Sequence, residues 1–496
     1  MNRPERRLGL VCVLAAALAL TGCSLGGNGP EPTPSGSAAP RPFTVMSTDV
    51  VRVTDPAAIT DAASAMLAIN VFQRLLTTAP GETALKPDAA QDCKYTAVTT
   101  LTCTLNKDET FHNGHALTSS DVKFSIERAA RLDVPGSSAP LLSSLRRIDT
   151  PDARTVRFLL SRVDNQFGWA LASPAASIVD EETYDADSVR RPEDPIVGSG
   201  PFSVASFEPG QIALQKYKDY QGRNPARLDG LVYRSVADSA AVEDAMTKGA
   251  VDVVWRGLDE AALIRLGQQA NNADSTTASG FRQQVLTGTR VLQLVWSSDS
   301  PSRSDKALRT AIALALQGDR TSDSVVPGGV PGHLATFALG GATDPKVTWA
   351  NRINLTLGYA SSQPNGRDIA TLIRSRLEDT GGLSVRLRAD EPGDLNLVDR
   401  KAWTATALAW LQPYVDSPLP GAAEAVKTAE TGYRAATTDD AANQLLATLQ
   451  KQAMADLVVL PVSQSDEYVY VRTGAQMTET SYGPGWQLGL FGISNG

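Results

Sequence analysis

Between Ile353 and Arg388 the chain spells out a complete strand–helix–strand unit. Ile353 to Tyr359 reads as a strand, Arg367 to Glu378 as a helix closed by Gly381-Gly382, and Leu383 to Arg388 as a second strand. Two strands joined through one helix must lie parallel, and the crossover between them is right-handed. The same alternation recurs elsewhere. Phe43–Val53, Ile212–Tyr217, Val251–Trp255, Arg290–Trp296 and Leu457–Val462 read as strands. Helices are expected over Ala57–Leu76, Ser239–Thr247, Lys306–Leu316 and the segment capped by Thr438. Strands and helices alternating in both halves define an α/β, or mixed α+β, protein.

The length of 496 residues allows two to four domains, and 42% hydrophobic with 20% charged residues permits a large core. A net charge of −8 without a basic block excludes a nucleic-acid surface. No internal repeat is visible.

The N-terminus reads as an export signal. Arg3, Arg6 and Arg7 precede the apolar run Leu8–Leu20, which is too short to span a bilayer. Leu20-Thr21-Gly22-Cys23 resembles a bacterial lipobox, so Cys23 is the expected lipidation site, with residues 1–23 as signal. Residues 24–43, rich in Gly, Pro and Ser, read as a disordered tether. Export places Cys93 and Cys103 in an oxidising compartment. They lie in an alternating segment that reads as a hairpin, which predicts a disulfide.

Phe111–Ala129, FHNGHALTSSDVKFSIERA, looks at first like a catalytic or metal cluster. His112 and His115 flank an Asn113-Gly114 turn, and the only other histidine is His333. That count is too small for a metal site, and none is expected. Thr118 with Asp121 reads instead as the acidic variant of a capping box opening a helix. No cofactor is indicated.

In order along the chain, these pieces resemble family 5 of the bacterial solute-binding proteins, the peptide- and nickel-type receptors of ABC importers. Phe111–Ala129 resembles the family signature. Gly198-Ser199-Gly200-Pro201-Phe202 with Phe207-Glu208-Pro209-Gly210 resembles its G-T-G-P hairpin. Gly249–Val253 and Leu308–Ala313 resemble two further family segments. The resemblance covers Thr44 to the C-terminus. It implies a two-lobed, type II periplasmic-binding-protein fold with a hinge and an extra small domain on lobe one. Lobe one would be residues 44–80, 196–290 and 456–496, the extra domain 81–195, and lobe two 291–455.

The resemblance also implies capture of a solute, a peptide above all, by hinge closure, and delivery to an ABC permease by a lipid-anchored monomer at the outer face of the cell membrane or in the periplasm. Family members hold a peptide's amino terminus with an aspartate in a W-x-x-D-Y run. Here the run is Trp410-Leu411-Gln412-Pro413-Tyr414-Val415-Asp416, so Gln412 or Pro413 stands where that aspartate belongs. The expected ligand-binding residues are Trp410, Tyr414 and Asp416 in lobe two, with Trp255 and Trp296 near the hinge. Core packing is the alternative role for each ring, and a solvent-facing loop for Asp416. Three other functions remain open: a binding-fold lipoprotein that no longer transports and acts as an envelope scaffold or regulator, an exported hydrolase, and a receptor for a chelated metal. The hydrolase lacks a G-x-S-x-G elbow, and no enzymatic activity is expected.

Overall fold

A computed structural model describes residues 41–78, 84–272, 275–341, 352–477 and 488–496. The export signal, Cys23, most of the tether and Trp486 lie outside the described residues.

One ten-stranded sheet organises the molecule. Its strand order is 383–389, 353–359, 395–400, 281–296, 459–472, 253–255, 44–47, 230–235, 211–216 and 202–208. The strand–helix–strand unit lies at one edge. Strands Ile353–Tyr359 and Leu383–Ala389 pair in parallel, joined by helix Gly366–Glu378. At the centre, Phe281–Trp296 and Val459–Arg472 run antiparallel over most of their length. Their register breaks between Leu286 and Arg290, beside Gly288 at φ +64°.

On either side of that break sit separate hydrophobic cores. One spans Val45 to Ile493 and includes Phe158, Phe167, Phe202 and Trp255. The other runs from Val291 to Leu460 and includes Trp296, Trp410 and Tyr414. Each large apolar side chain so buried stabilises the fold by roughly 1.5–3 kcal/mol before entropy is counted. The chain enters and leaves the second core through the two central strands.

A separate four-stranded antiparallel sheet, in the order 90–97, 100–105, 155–160 and 145–152, carries the predicted hairpin. Cys93 and Cys103 face each other across it and are joined as a disulfide.

Helix Ser119–Leu132 begins as expected. The Thr118 side chain accepts from the Ser120 amide, and Asp121 accepts the Thr118 amide at 2.8 Å, which closes a capping box. The turn before it is structural. The His112 amide donates to the Gly198 carbonyl at 2.8 Å, and its ring bridges the Gly198 amide and the Gly200 carbonyl. That contact presses the Gly-Ser-Gly segment onto the end of helix Ala62–Val71. A Cβ on Gly198 would sit 2.1 Å from the Val71 carbonyl oxygen, and one on Gly200 2.5 Å from its carbon. Only glycine fits, which gives this stretch its composition.

Some boundaries differ from expectation. The first strand is only Thr44–Ser47, because Ser47 Oγ accepts the Asp49 amide and turns the chain away. The helix expected over Ala57–Leu76 is confined to Ala62–Val71, capped by Asp61 and ended by Phe72 in an extended conformation. The strand expected from Arg290 begins at Phe281, and the one expected over Leu457–Val462 extends to Arg472.

Candidate binding cleft

A cavity of about 360 Å³ opens where the two cores meet. One wall comes from the loop after the first strand and the start of the helix capped by Asp61, with Asp49, Arg52 and Asp61. The other comes from Gln363 and from the end of strand Leu395–Arg400, with Asp399, Lys401 and then Trp403. An adjoining cavity of about 480 Å³ shares Arg52, Ala360 and Leu397 with it. Volumes of this order suit a solute of several residues or a comparable small molecule.

Arg256 dominates the floor. It follows strand Val253–Trp255 with φ +53°, a left-handed conformation that non-glycine residues rarely adopt. Its guanidinium reaches Asp49 (Nε to Oδ2 2.7 Å), Asp399 and Glu467 at once. Lys401 approaches Glu467 at 3.4 Å, and Arg290 approaches Asp399 at 3.7 Å. All six side chains are at most 11% exposed. Three cations against three carboxylates balance, as buried charges must. Burial works against the charged form of Arg256, but Asp399, Asp49 and Glu467 outweigh it and hold its pKa well above the ordinary range. Burial likewise raises the Asp49 carboxyl, against the pull of Arg256.

The residues selected from the sequence lie elsewhere. Trp255 is 1% exposed in the first core, next to Arg256, whose guanidinium lies 5.8 Å from its ring centroid. Trp296, Trp410 and Tyr414 are buried in the second core. The Tyr414 hydroxyl donates to Asp456 at 2.6 Å. Asp416 caps the C-terminal end of helix Ala407–Val415 as an exposed residue, its Oδ1 accepts from the Gln412 side-chain Nε2, and partial desolvation raises its carboxyl. None of these five is among the residues lining either cavity.

Pro413 sits inside that helix. A proline has no N–H, so the carbonyl four residues back loses its helical partner. That carbonyl belongs to Ala409, and it accepts from Arg400 Nη2 at 2.9 Å. Burial pushes the Arg400 guanidinium down to about 10, with Asp416 opposing. The position where the resemblance expects an anchoring aspartate is therefore part of a buried helix repaired by an arginine.

Sequence reasoning missed Arg256, Gln363, Asp399, Lys401, Trp403 and Glu467. One signal was present: Asp399-Arg400-Lys401, three charges in a row, closes an otherwise apolar strand. Charges there need a partner or a cavity. Among the described residues, no three His, Cys, Asp or Glu side chains are grouped so as to hold a metal.

This geometry defines a class: a mixed α/β protein of the two-lobed, type II periplasmic-binding type, with its cavity at the junction of the lobes. The chain belongs to the bacterial extracellular solute-binding proteins, family 5, whose sequence profile matches residues 84–422. It is 24% identical over 309 residues to the peptide transport periplasmic protein SapA of Salmonella typhimurium, covering 57% of this chain and 53% of that one. The chain thus spans about half the length of the curated relatives it matches. Its fold matches Helicobacter pylori DppA, solved with the peptide STSA, at a TM-score of 0.78 and 18% identity, over 91% of this chain and 98% of that one. It also matches AgaA from A. tumefacien R10, solved with agropinic acid, at 0.76 and 19% identity, over 92% and 98%.

Proposed function

We infer that this protein is the solute receptor of an ABC importer, that its solute is a peptide, and that it works as a monomer anchored outside the cell membrane through a lipid on Cys23. The observation carrying this reading is the cavity of about 360 Å³ whose walls come from both lobes. A solute touching both walls favours the closed arrangement by its differential affinity for it. Family membership and the peptide named for SapA and DppA support the solute class and the permease partner. The signal and lipobox sequence support the anchor.

On this reading the lobes divide as the resemblance implies, with 44–80, 196–290 and 456–496 in lobe one, 81–195 as its extra domain and 291–455 in lobe two. Trp403, Gln363 and Arg52 meet the solute. Trp255, Trp296, Trp410 and Tyr414 back the cleft walls from the cores, and Asp416 acts through Arg400.

Thermal melting against di- to octapeptides, amino acids, sugars and metal chelates tests the proposal. A ligand at 100 times its Kd stabilises the fold by about 2.7 kcal/mol. A peptide hit is expected. A hit confined to other solutes overturns the peptide. A second reading, a binding-fold lipoprotein that acts as an envelope scaffold without transport, is favoured by Pro413 at the anchoring position. Silence across the whole panel selects it.

A further inference from the structure

We propose that Arg52, with Gln363 on the opposite wall, holds a carboxylate of the solute. The inference rests on the reading of the protein as a solute receptor and adds the chemistry of the group that the cleft recognises.

Four cations line the cavity at the lobe junction: Arg52, Arg256, Arg400 and Lys401. Three are committed to protein partners. Arg256 binds Asp49, Asp399 and Glu467, Lys401 approaches Glu467 at 3.4 Å, and Arg400 donates to the Ala409 carbonyl at 2.9 Å. Arg52 differs. It is exposed, it lines both cavities, and among the described residues its guanidinium makes no hydrogen bond or ion pair. Two further carboxylates on these walls are engaged elsewhere. Asp61 accepts the Ser64 amide at 2.9 Å and the Ser64 hydroxyl at 2.7 Å. Asp390, in the adjoining cavity, feels the Arg52 charge, but its oxygens accept the Ser361 hydroxyl at 2.5 Å and the Ser361 amide at 2.9 Å.

The backbone that carries Arg52 is fixed. The Arg52 and Val53 amides both donate to Ser64 Oγ, at 3.1 and 3.0 Å, and the Asp49 carbonyl accepts the Tyr233 hydroxyl at 2.9 Å and the Ser235 hydroxyl at 2.8 Å. Gln363 stands in the turn that opens helix Gly366–Glu378, where its carbonyl accepts the Gly366 amide at 3.0 Å. It is 7% exposed, and its Nε2 has no acceptor among the described residues. A buried N–H without an acceptor is unfavourable, so a solute that brings an oxygen there is preferred over one that does not. A guanidinium on one wall and an amide on the other both donate, and a carboxylate supplies two charged acceptors for them. Val50, 40% exposed, and half-buried Trp403 put apolar surface in the same cavity. The site therefore suits a carboxylate with an apolar neighbour. A peptide's C-terminus and an acidic side chain share that chemistry.

Pools of apolar di- to pentapeptides separate the sources when offered as free acids, as C-terminal amides, and as amides carrying one Asp, with fatty acids and sugar acids as non-peptide carboxylates. Thermal shift finds binders and calorimetry of the best members gives affinities. Free acids are expected to bind wild type roughly 10- to 100-fold more tightly than their amides, the worth of one charged hydrogen bond. Arg52→Gln should erase that difference, Arg52→Lys should restore part of it, and Gln363→Met should reduce it. All three variants should melt as wild type does, because none loses a side-chain bond within the protein. Binding of Asp-bearing amides alone, lost in Arg52→Gln, supports the site with the acidic side chain as its carboxylate. Binding of non-peptide carboxylates alone, with the same dependence on Arg52, supports the site and overturns the peptide. Amides that bind as tightly as acids, with Arg52→Gln unchanged, overturn the site and leave the peptide standing. Silence of every carboxylate up to millimolar concentration overturns both.

Discussion

Gly200 and His112 show how single residues fix the frame on which the cleft is built. A methyl at Gly200 would collide with the Val71 backbone, which belongs to a helix end and cannot yield like a side chain. Gly200→Ala is expected to destabilise the protein by about 2–4 kcal/mol, read as a lower midpoint in denaturant. The His112 ring is largely desolvated although the residue is only half-buried, which lowers its pKa from 6.5 to about 4, against the Gly200 carbonyl that favours the charged ring. Its folded form therefore resists protonation while the unfolded chain does not. Stability from this residue is full above pH 6.5 and is lost as pH falls from there toward 4. The loss is on the order of 3 kcal/mol, and His112→Gln should flatten that part of the pH profile. The histidine's dull role was legible, because three histidines could not make a metal site. Its grip on Gly198 and Gly200, 86 and 88 residues away, was not.

At the scale of elements, local rules worked where local forces dominate. The capping box rests on contacts within three residues, and the hairpin and the strand–helix–strand unit pair segments that follow one another in the chain. Reducing the Cys93–Cys103 bond, or replacing both with serine, is expected to cost about 3 kcal/mol by the loop-closure argument, seen as a lower melting temperature. Helix Ala407–Val415 escaped notice for a physical reason: a proline forbids the helical hydrogen bond, and its replacement comes from another element. Arg400→Met should leave the Ala409 carbonyl unsatisfied and destabilise by about 1–3 kcal/mol. In the Pro413→Ala background the helix bonds that carbonyl itself, so the Arg400 substitution should cost markedly less. A double-mutant cycle by chemical denaturation measures the difference.

For the whole molecule, the decisive feature is where charge is buried. Arg256→Met leaves Asp49, Asp399 and Glu467 facing one another without their shared cation. A loss of about 3–5 kcal/mol is expected in thermal or chemical unfolding. Arg256→Lys keeps the charge but loses the three-way geometry, and should recover only part of it.

What the sequence by itself determined is the class and the family frame. Alternating strands and helices, one parallel unit, a disulfide hairpin and a capped signature helix are all encoded by near neighbours, and their order along the chain carries the family. What only the tertiary structure decided is the cleft. Its tryptophans were chosen by residue type, yet Trp255, Trp296 and Trp410 fill cores, because a large ring gains most where water is fully excluded. The cavity instead collects Asp49, Arg256 and Asp399, with Glu467 behind them, from four elements that no local pattern joins. A buried charge is stable only beside its partner, and which partner it meets is set by how the strands are ordered in the sheet.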